Sequence, residues 1–134
     1  MTPEQQKEFL CGYTVCAVWS STGDDGEPLD STHDESDLAG ETLQAMKNSC
    51  AKFISENEND LAEYVERRAI PRGADCSGAD WAGHDFWLTR NGHGTGFWDR
   101  GFGELGDRLS EASKAFGEAH LYVGDDGKLY LFEG

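Results

Sequence analysis

The order of patterns along the chain predicts an α+β fold: N-terminal helices followed by a small antiparallel β-sheet with one further helix, all in one domain covering residues 1–134. Three observations predict it. Apolar residues recur at helical spacing through the first half of the chain. A hairpin signal, Asp126-Gly127 between two runs of β-formers, closes the second half. The 134 residues, 37% of them hydrophobic, are enough for one buried core and contain no linker long enough to divide it.

The first helix is predicted over residues 3–20. Thr2 can cap it, Pro3 suits its first position, and Gln5 completes a capping box. Phe9, Tyr13, Cys16 and then Trp19 or Ser20 form its apolar stripe. Gly12 costs this helix about 1 kcal/mol relative to Ala and suits a close helix contact. Residues 21–36 are polar, turn-rich and aperiodic, a loop.

Ser36 is expected to cap a second helix carrying Leu38, Leu43, Met46, Cys50, Phe53 and Ile54, weak at Gly40 and broken by residues 56–60 (ENEND). A third helix turns Leu61, Tyr64 and Val65 inward, sets Arg67 and Arg68 at its cation-favouring end, and stops at Pro71 and Gly73. Residues 71–83 read as a loop. Residues 84–90 (HDFWLTR) alternate and are rich in β-formers, so a strand is expected there. Asn91-Gly92-His93-Gly94 is a turn, with a short returning strand over 95–98. Residues 103–116 are helical, with Leu105, Leu109, Ala112 and Phe116 on one face, and 120–123 and 128–132 form the hairpin.

Charge is the most uneven property of the chain. There are 26 acids against 11 bases, a formal charge of −15. That excludes unaided nucleic-acid binding, which needs clustered Lys and Arg, and disfavours docking on an anionic membrane. No Lys or Arg occurs between Lys7 and Lys47, and Asp24, Asp25, Glu27, Asp30, Asp34, Glu35, Asp37 and Glu41 are eight carboxylates in 18 residues. At a Debye length of about 8 Å such neighbours feel one another. A basic partner is their complement. Duplex DNA carries about one charge per 1.7 Å of axis, a density that rows of acids on a loop and the helix after it can approach. The same stretch has a faint calcium-loop pattern from Asp30 to Glu41, but Glu35 stands where glycine is required and Asp37 where an apolar residue belongs.

Cys11, Cys16, Cys50 and Cys76 are spaced by 5, 34 and 26 residues, with no C-x-x-C pair. Four thiols are expected, those of Cys11, Cys16 and Cys50 as small core residues. The segment MTPEQQKEFL lacks the basic and apolar regions of a signal peptide, and no run of about 18 apolar residues occurs, so a cytoplasmic protein is expected.

Residues 82–101, AGHDFWLTRNGHGTGFWDRG, resemble a segment of small bacteriophage and mobile-element proteins of unassigned function. The resemblance covers about 20 residues and implies no catalytic group. It implies action inside a bacterial host, and the acidic first half lies outside it.

These readings converge on an expected function. The chain is expected to be a phage-encoded, non-enzymatic inhibitor of a host nucleic-acid-handling defence complex, anti-CRISPR or anti-restriction, acting as a DNA mimic. Its contacts are expected from the eight carboxylates, with Trp87 and Trp98 as aromatic anchors, and with no cofactor, metal, direct nucleic acid or membrane. Two alternatives differ in class. One is a metal-assisted hydrolase built on His84, Asp85 and His93, whose spacing matches no standard ligand pattern. The other is a non-catalytic phage structural or accessory protein.

Overall fold

In a computed structural model, residues 1–23, 25–68 and 77–133 are described. Five helices and one hairpin follow one another: α1 (Pro3–Ser20), α2 (Gly40–Glu56), α3 (Glu58–Arg67), α4 (Gly78–Arg90), α5 (Glu104–Lys114), β1 (Ala119–Val123) and β2 (Leu129–Glu133). The class is α+β, helices first and a two-stranded antiparallel sheet last.

Helix α1 starts as its sequence dictates. The Thr2 hydroxyl accepts from the Gln5 amide, and the Gln5 side chain accepts from the Thr2 amide. Phe9, Tyr13 and Cys16 are fully buried, and Ser20 rather than Trp19 continues the inward stripe. Cys11, expected inside, is exposed because it lies off that stripe, whereas Cys16 and Cys50 are buried. Burial pushes the Cys16 thiol up to about 12.

Helix α2 begins at Gly40, not after Ser36, which belongs to a short 3-10 turn, Glu35–Asp37. The break within ENEND falls on Asn57, which ends α2 and opens α3. Helix α3 ends at Arg67; Pro71 and Gly73, its expected stops, lie outside the described residues. Helix α5 and the hairpin stand close to where the sequence put them, and Asp125-Asp126-Gly127 form a turn closed by bonds from Gly127 N to Gly124 O and from Gly124 N to Lys128 O.

The main correction concerns residues 84–90. The expected strand is the second half of helix α4, and the expected returning strand over 95–98 is a 3-10 turn, Phe97–Asp99. The alternation misled because every residue from Asp85 to Arg90 is buried. A helix enclosed on all sides shows no 3.6-residue polarity, and tertiary burial overrides the β preference of its aromatic residues. Its start is nevertheless written locally: the Ser77 hydroxyl accepts from the Asp80 amide and the Asp80 carboxylate accepts from the Ser77 amide.

Helices α1 and α4 make the closest contact in the fold. A Cβ on Gly83 would lie 1.9 Å from the Phe9 carbonyl oxygen, and one on Gly12 would lie 2.0 Å from that of Asp80. Only glycine at both positions lets the two backbones touch. Around this pair, Phe53 stacks on Phe86 at 4.0 Å between ring centres, and Tyr13 meets Trp87 edge-on at 5.3 Å. One cluster of buried apolar residues runs from Phe9 to Leu129 and joins all five helices to the hairpin. No helix among the described residues is long and apolar enough to cross a membrane.

Candidate functional site

Chemistry-bearing side chains fall into two groups, an inward set on α4 and the turn after it, and an outward set on the acidic segment. The inward set is consumed by structure. Asp85 is fully buried; its carboxylate accepts from Arg100 Nη2 at 2.6 Å, from Arg100 Nε at 3.1 Å, and from the Tyr64 hydroxyl. Tyr64 is held well above the usual phenol range by burial, and then by the neighbouring Asp85 charge. The Arg90 guanidinium donates to Gly117 O at 2.8 Å, Phe116 O at 3.0 Å and the Tyr13 hydroxyl at 2.9 Å. The Thr89 hydroxyl accepts from Phe97 N, and the Asn91 side-chain oxygen accepts from Ala119 N. These bonds tie the turn after α4, the end of α5 and the start of β1 to one helix.

Trp87, expected as a surface anchor, is 1% exposed and its indole donates to the Ser20 hydroxyl at 2.9 Å. The helix that replaces the expected strand turns it into the core. Trp98 is 48% exposed, but it lies on the 3-10 turn after α4 and is absent from the grooves beside the acidic segment.

His84, Asp85 and His93 do not converge. Asp85 points into the Arg100–Tyr64 network, and His93 is exposed on the turn. His84 lies between the rings of Trp19 and Trp81, at 5.7 and 5.6 Å. No group of three or more His, Cys, Asp or Glu able to hold a metal occurs among the described residues.

The acidic segment is anchored. Leu29 is buried at the head of a 3-10 turn (Leu29–Ser31), its amide bonded to Ser21 O, and Gly23 N bonds Glu27 O across a small closed loop. The His33 ring donates to Gly127 O at 3.0 Å, and Ala39 N bonds Leu129 O. These contacts fasten residues 21–39 to the end of α1 and to the hairpin. Asp24 lies outside the described residues.

Within the segment the acids divide by role. Asp25 accepts from the Glu27 amide, Asp37 from the Asp34 amide, and Asp34 from the Ser36 amide and hydroxyl. The Ser36 bonds hold the Asp34 carboxyl below its usual range, so it stays ionised. These local turns, rather than a cation loop, account for the Asp30 to Glu41 pattern. Glu27, Asp30, Glu35 and Glu41 are exposed, and none makes a side-chain hydrogen bond or ion pair among the described residues.

A groove of about 350 Å³ joins this acidic segment to α1 and α4. Val15, Val18, Trp19 and His84 form its apolar and aromatic side, and Asp30, Asp34 and Glu35 its acidic side, with His33 between. Trp19 is 57% exposed and Val15 39%. This arrangement offers an indole face and several carboxylates to one cation, a combination suited to an Arg or Lys side chain. Sequence reading missed Trp19 as a surface residue. The signal was available in the stripe itself, because Phe9, Tyr13 and Cys16 are continued by Ser20 at i+4.

Comparison of the chain with models of protein families, with curated proteins and with solved structures finds no match in any of the three.

Proposed function

We propose that this protein works by binding. Its acidic face and Trp19 groove receive a basic protein surface that otherwise holds a polynucleotide, and the bound protein blocks it as a non-catalytic inhibitor. The observation that carries this reading is the groove in which Trp19, Val15 and His84 lie against Asp30, Asp34 and Glu35. Carboxylates on an open surface would contribute only about 0–1 kcal/mol each. A partner cation drawn over an exposed indole loses part of its water and gains about 1–2 kcal/mol more, which is how an anchor residue behaves. The formal charge of −15 supplies attraction over longer range and speeds association at low salt. The setting proposed is a bacterial host, with the partner a defence complex whose nucleic-acid channels are lined with Lys and Arg.

The test is capture from bacterial lysate on immobilised protein, with elution by duplex DNA in one arm and by raised salt in the other. A nucleic-acid-binding protein released by both is the expected result. Trp19→Ala, and separately the triple change Glu27→Gln, Asp30→Asn and Glu35→Gln, should each lower capture at least about tenfold, the loss of about 1.4 kcal/mol, with melting temperature unchanged or higher. Capture that ignores both DNA and salt, or survives all of these substitutions, overturns the proposal.

A further inference from the structure

The hairpin is a two-stranded sheet, so each strand has an outer edge, and the two edges are treated differently. The bond from Gly124 N to Lys128 O sets the phase of the ladder. With the register Tyr122↔Tyr130 and His120↔Phe132, the even-numbered residues of β1 bond to β2, and Ala119, Leu121 and Val123 direct their N–H and C=O groups outward. Two contacts support that phase. The outward amide of Ala119 donates to the Asn91 side chain at 2.8 Å, and the outward carbonyl of Leu129 on β2 accepts from Ala39 N and the Thr42 hydroxyl, both at 3.0 Å.

The outer edge of β2 is therefore covered at Leu129 by the start of α2. The outer edge of β1 is unpaired at Leu121, itself 5% exposed, and at Val123, 43% exposed: their outward backbone groups have no hydrogen-bond partner among the described residues. Two grooves run along it, one of about 270 Å³ beside Ala119, His120 and Leu121, and one of about 380 Å³ beside Leu121, Tyr122 and Val123. They meet at Thr22 and Leu121. The wall facing the larger groove includes Gly23, Asp25, Glu27 and Pro28, where Gly23 N bonds Glu27 O and, among the described residues, no backbone bond reaches β1; the smaller groove is walled by Ser20, Ser21, Trp87 and His93.

Proteins usually blunt an open edge with proline, lysine or an inward charge. The sequence Ala119-His120-Leu121-Tyr122-Val123 has none of these. We propose that the outer edge of β1 is a strand-addition site, and that its occupant is an extended, positively charged peptide segment of a partner protein, paired with the outward backbone groups of Leu121 and Val123. Charge selects the occupant. Asp25 and Glu27 stand on the facing wall, Glu118 and Asp125 flank the two ends of the strand, and neither groove is lined by Lys or Arg. A second copy of this chain would bring another −15 and its own Asp25 and Glu27 to the same edge. The site shares His33 with the Trp19 groove but no other lining residue, and it does not depend on competition with nucleic acid.

The probe is a short synthetic peptide alternating lysine with threonine, blocked at both ends, added to the full-length protein. Amide hydrogen exchange read by NMR is the measurement. Saturating peptide should slow exchange at Leu121 and Val123 at least about tenfold and leave Tyr122, already bonded to Tyr130, little changed. Methylating alternate backbone nitrogens of the peptide should abolish this in one phase and spare it in the other. The same peptide with glutamate for lysine should not protect these amides, and Trp19→Ala protein should respond as wild type. The proposal is overturned by binding without protection at Leu121 and Val123, by equal protection from the glutamate peptide, or by protection that grows with protein concentration alone. Loss of the response in Trp19→Ala would also overturn it as a separate site, whereas failure of the DNA-elution test would leave it standing.

Discussion

Replacing Asp85 by alanine should be among the most damaging single changes to this fold. The carboxylate is fully buried and holds three donors, two from Arg100 and one from Tyr64. Alanine leaves the Tyr64 hydroxyl, buried with its ring, and a guanidinium whose side chain is 18% exposed without their acceptor. Breaking a buried ion pair by removing one partner costs about 3–5 kcal/mol. Arg100 keeps some access to water, so the lower end, about 3 kcal/mol, is expected. At about 2.1 cal/mol/K of unfolding entropy per residue, 134 residues give about 0.28 kcal/mol/K, and the melting temperature should fall about 11 °C. Urea unfolding and calorimetry measure both quantities. Asp85→Asn, which keeps the shape and one acceptor oxygen, should lose about half as much. In a double-mutant cycle, Asp85→Ala with Arg100→Ala should cost less than the two singles summed, by at least about 1 kcal/mol. A loss under about 1 kcal/mol for Asp85→Ala, or strict additivity, would refute the view that this carboxylate ties α3 and the turn after α4 together.

Two further expectations concern the junction of α1 and α4. Gly83→Ala and Gly12→Ala would each drive a methyl group into a backbone carbonyl, so each should cost about 3 kcal/mol in urea unfolding, whereas Gly40→Ala, with open space around it, should stabilise α2 by up to about 1 kcal/mol; equal effects at all three positions would remove the close-contact argument. His84 has its pKa lowered by burial first, with Arg100 and Arg68 adding and Asp85 and Asp80 opposing. Below the ordinary value of 6.5 the unfolded chain takes up a proton that the folded chain resists, so stability is full above that pH and is lost as pH falls toward the folded pKa. His84→Gln should therefore flatten the dependence of stability on pH below 6.5, and parallel curves for the two proteins would show that the ring is not held neutral.

Much of the fold was legible because its signals are local. Thr2, Pro3 and Gln5 define the start of α1 by themselves, and Asp126-Gly127 defines the hairpin. Helix α4 was not legible from periodicity, since burial on every side erases the period; its one local signal is the Ser77–Asp80 capping box. The anchoring of the acidic segment was hidden for a different reason. It rests on Leu29, an isolated apolar residue among polar ones, and on contacts far apart in sequence, such as His33 with Gly127. Composition identified the carboxylates but not their division, because whether an acid turns back onto a nearby amide, as Asp25, Asp34 and Asp37 do, depends on the local turn geometry that composition does not specify. Trp87 is buried because residues 84–90 form a helix rather than the expected strand, and Trp19 is exposed because Ser20, not Trp19, continues the inward stripe of α1.

The segment 82–101 has the density of His, Asp, Arg and Trp that invites an active-site reading, yet its polar atoms are mostly spent on the fold. Asp85 holds Arg100 and Tyr64, Arg90 holds the end of α5, Thr89 and Asn91 receive backbone amides, and Trp87 holds Ser20. A group committed in this way gains nothing from a substrate that it would not lose from stability. What the segment does supply is position. Gly83 lets α1 come into backbone contact, and α1 carries Trp19 and Val15 to the exposed groove that His84 of α4 also lines. His84 then backs the Trp19 ring, while Asn91 takes the amide of Ala119 at the start of β1 and so leaves the open edge to begin at Leu121. Helix α4 thus sets the geometry of both the aromatic groove and the free strand edge without presenting Asp85 or Arg90 to either, while Trp87 lines the groove beside Ala119 and Leu121. Substitutions at Asp85 and Arg90 should for that reason reduce the amount of folded protein, and leave the affinity of each folded molecule unchanged.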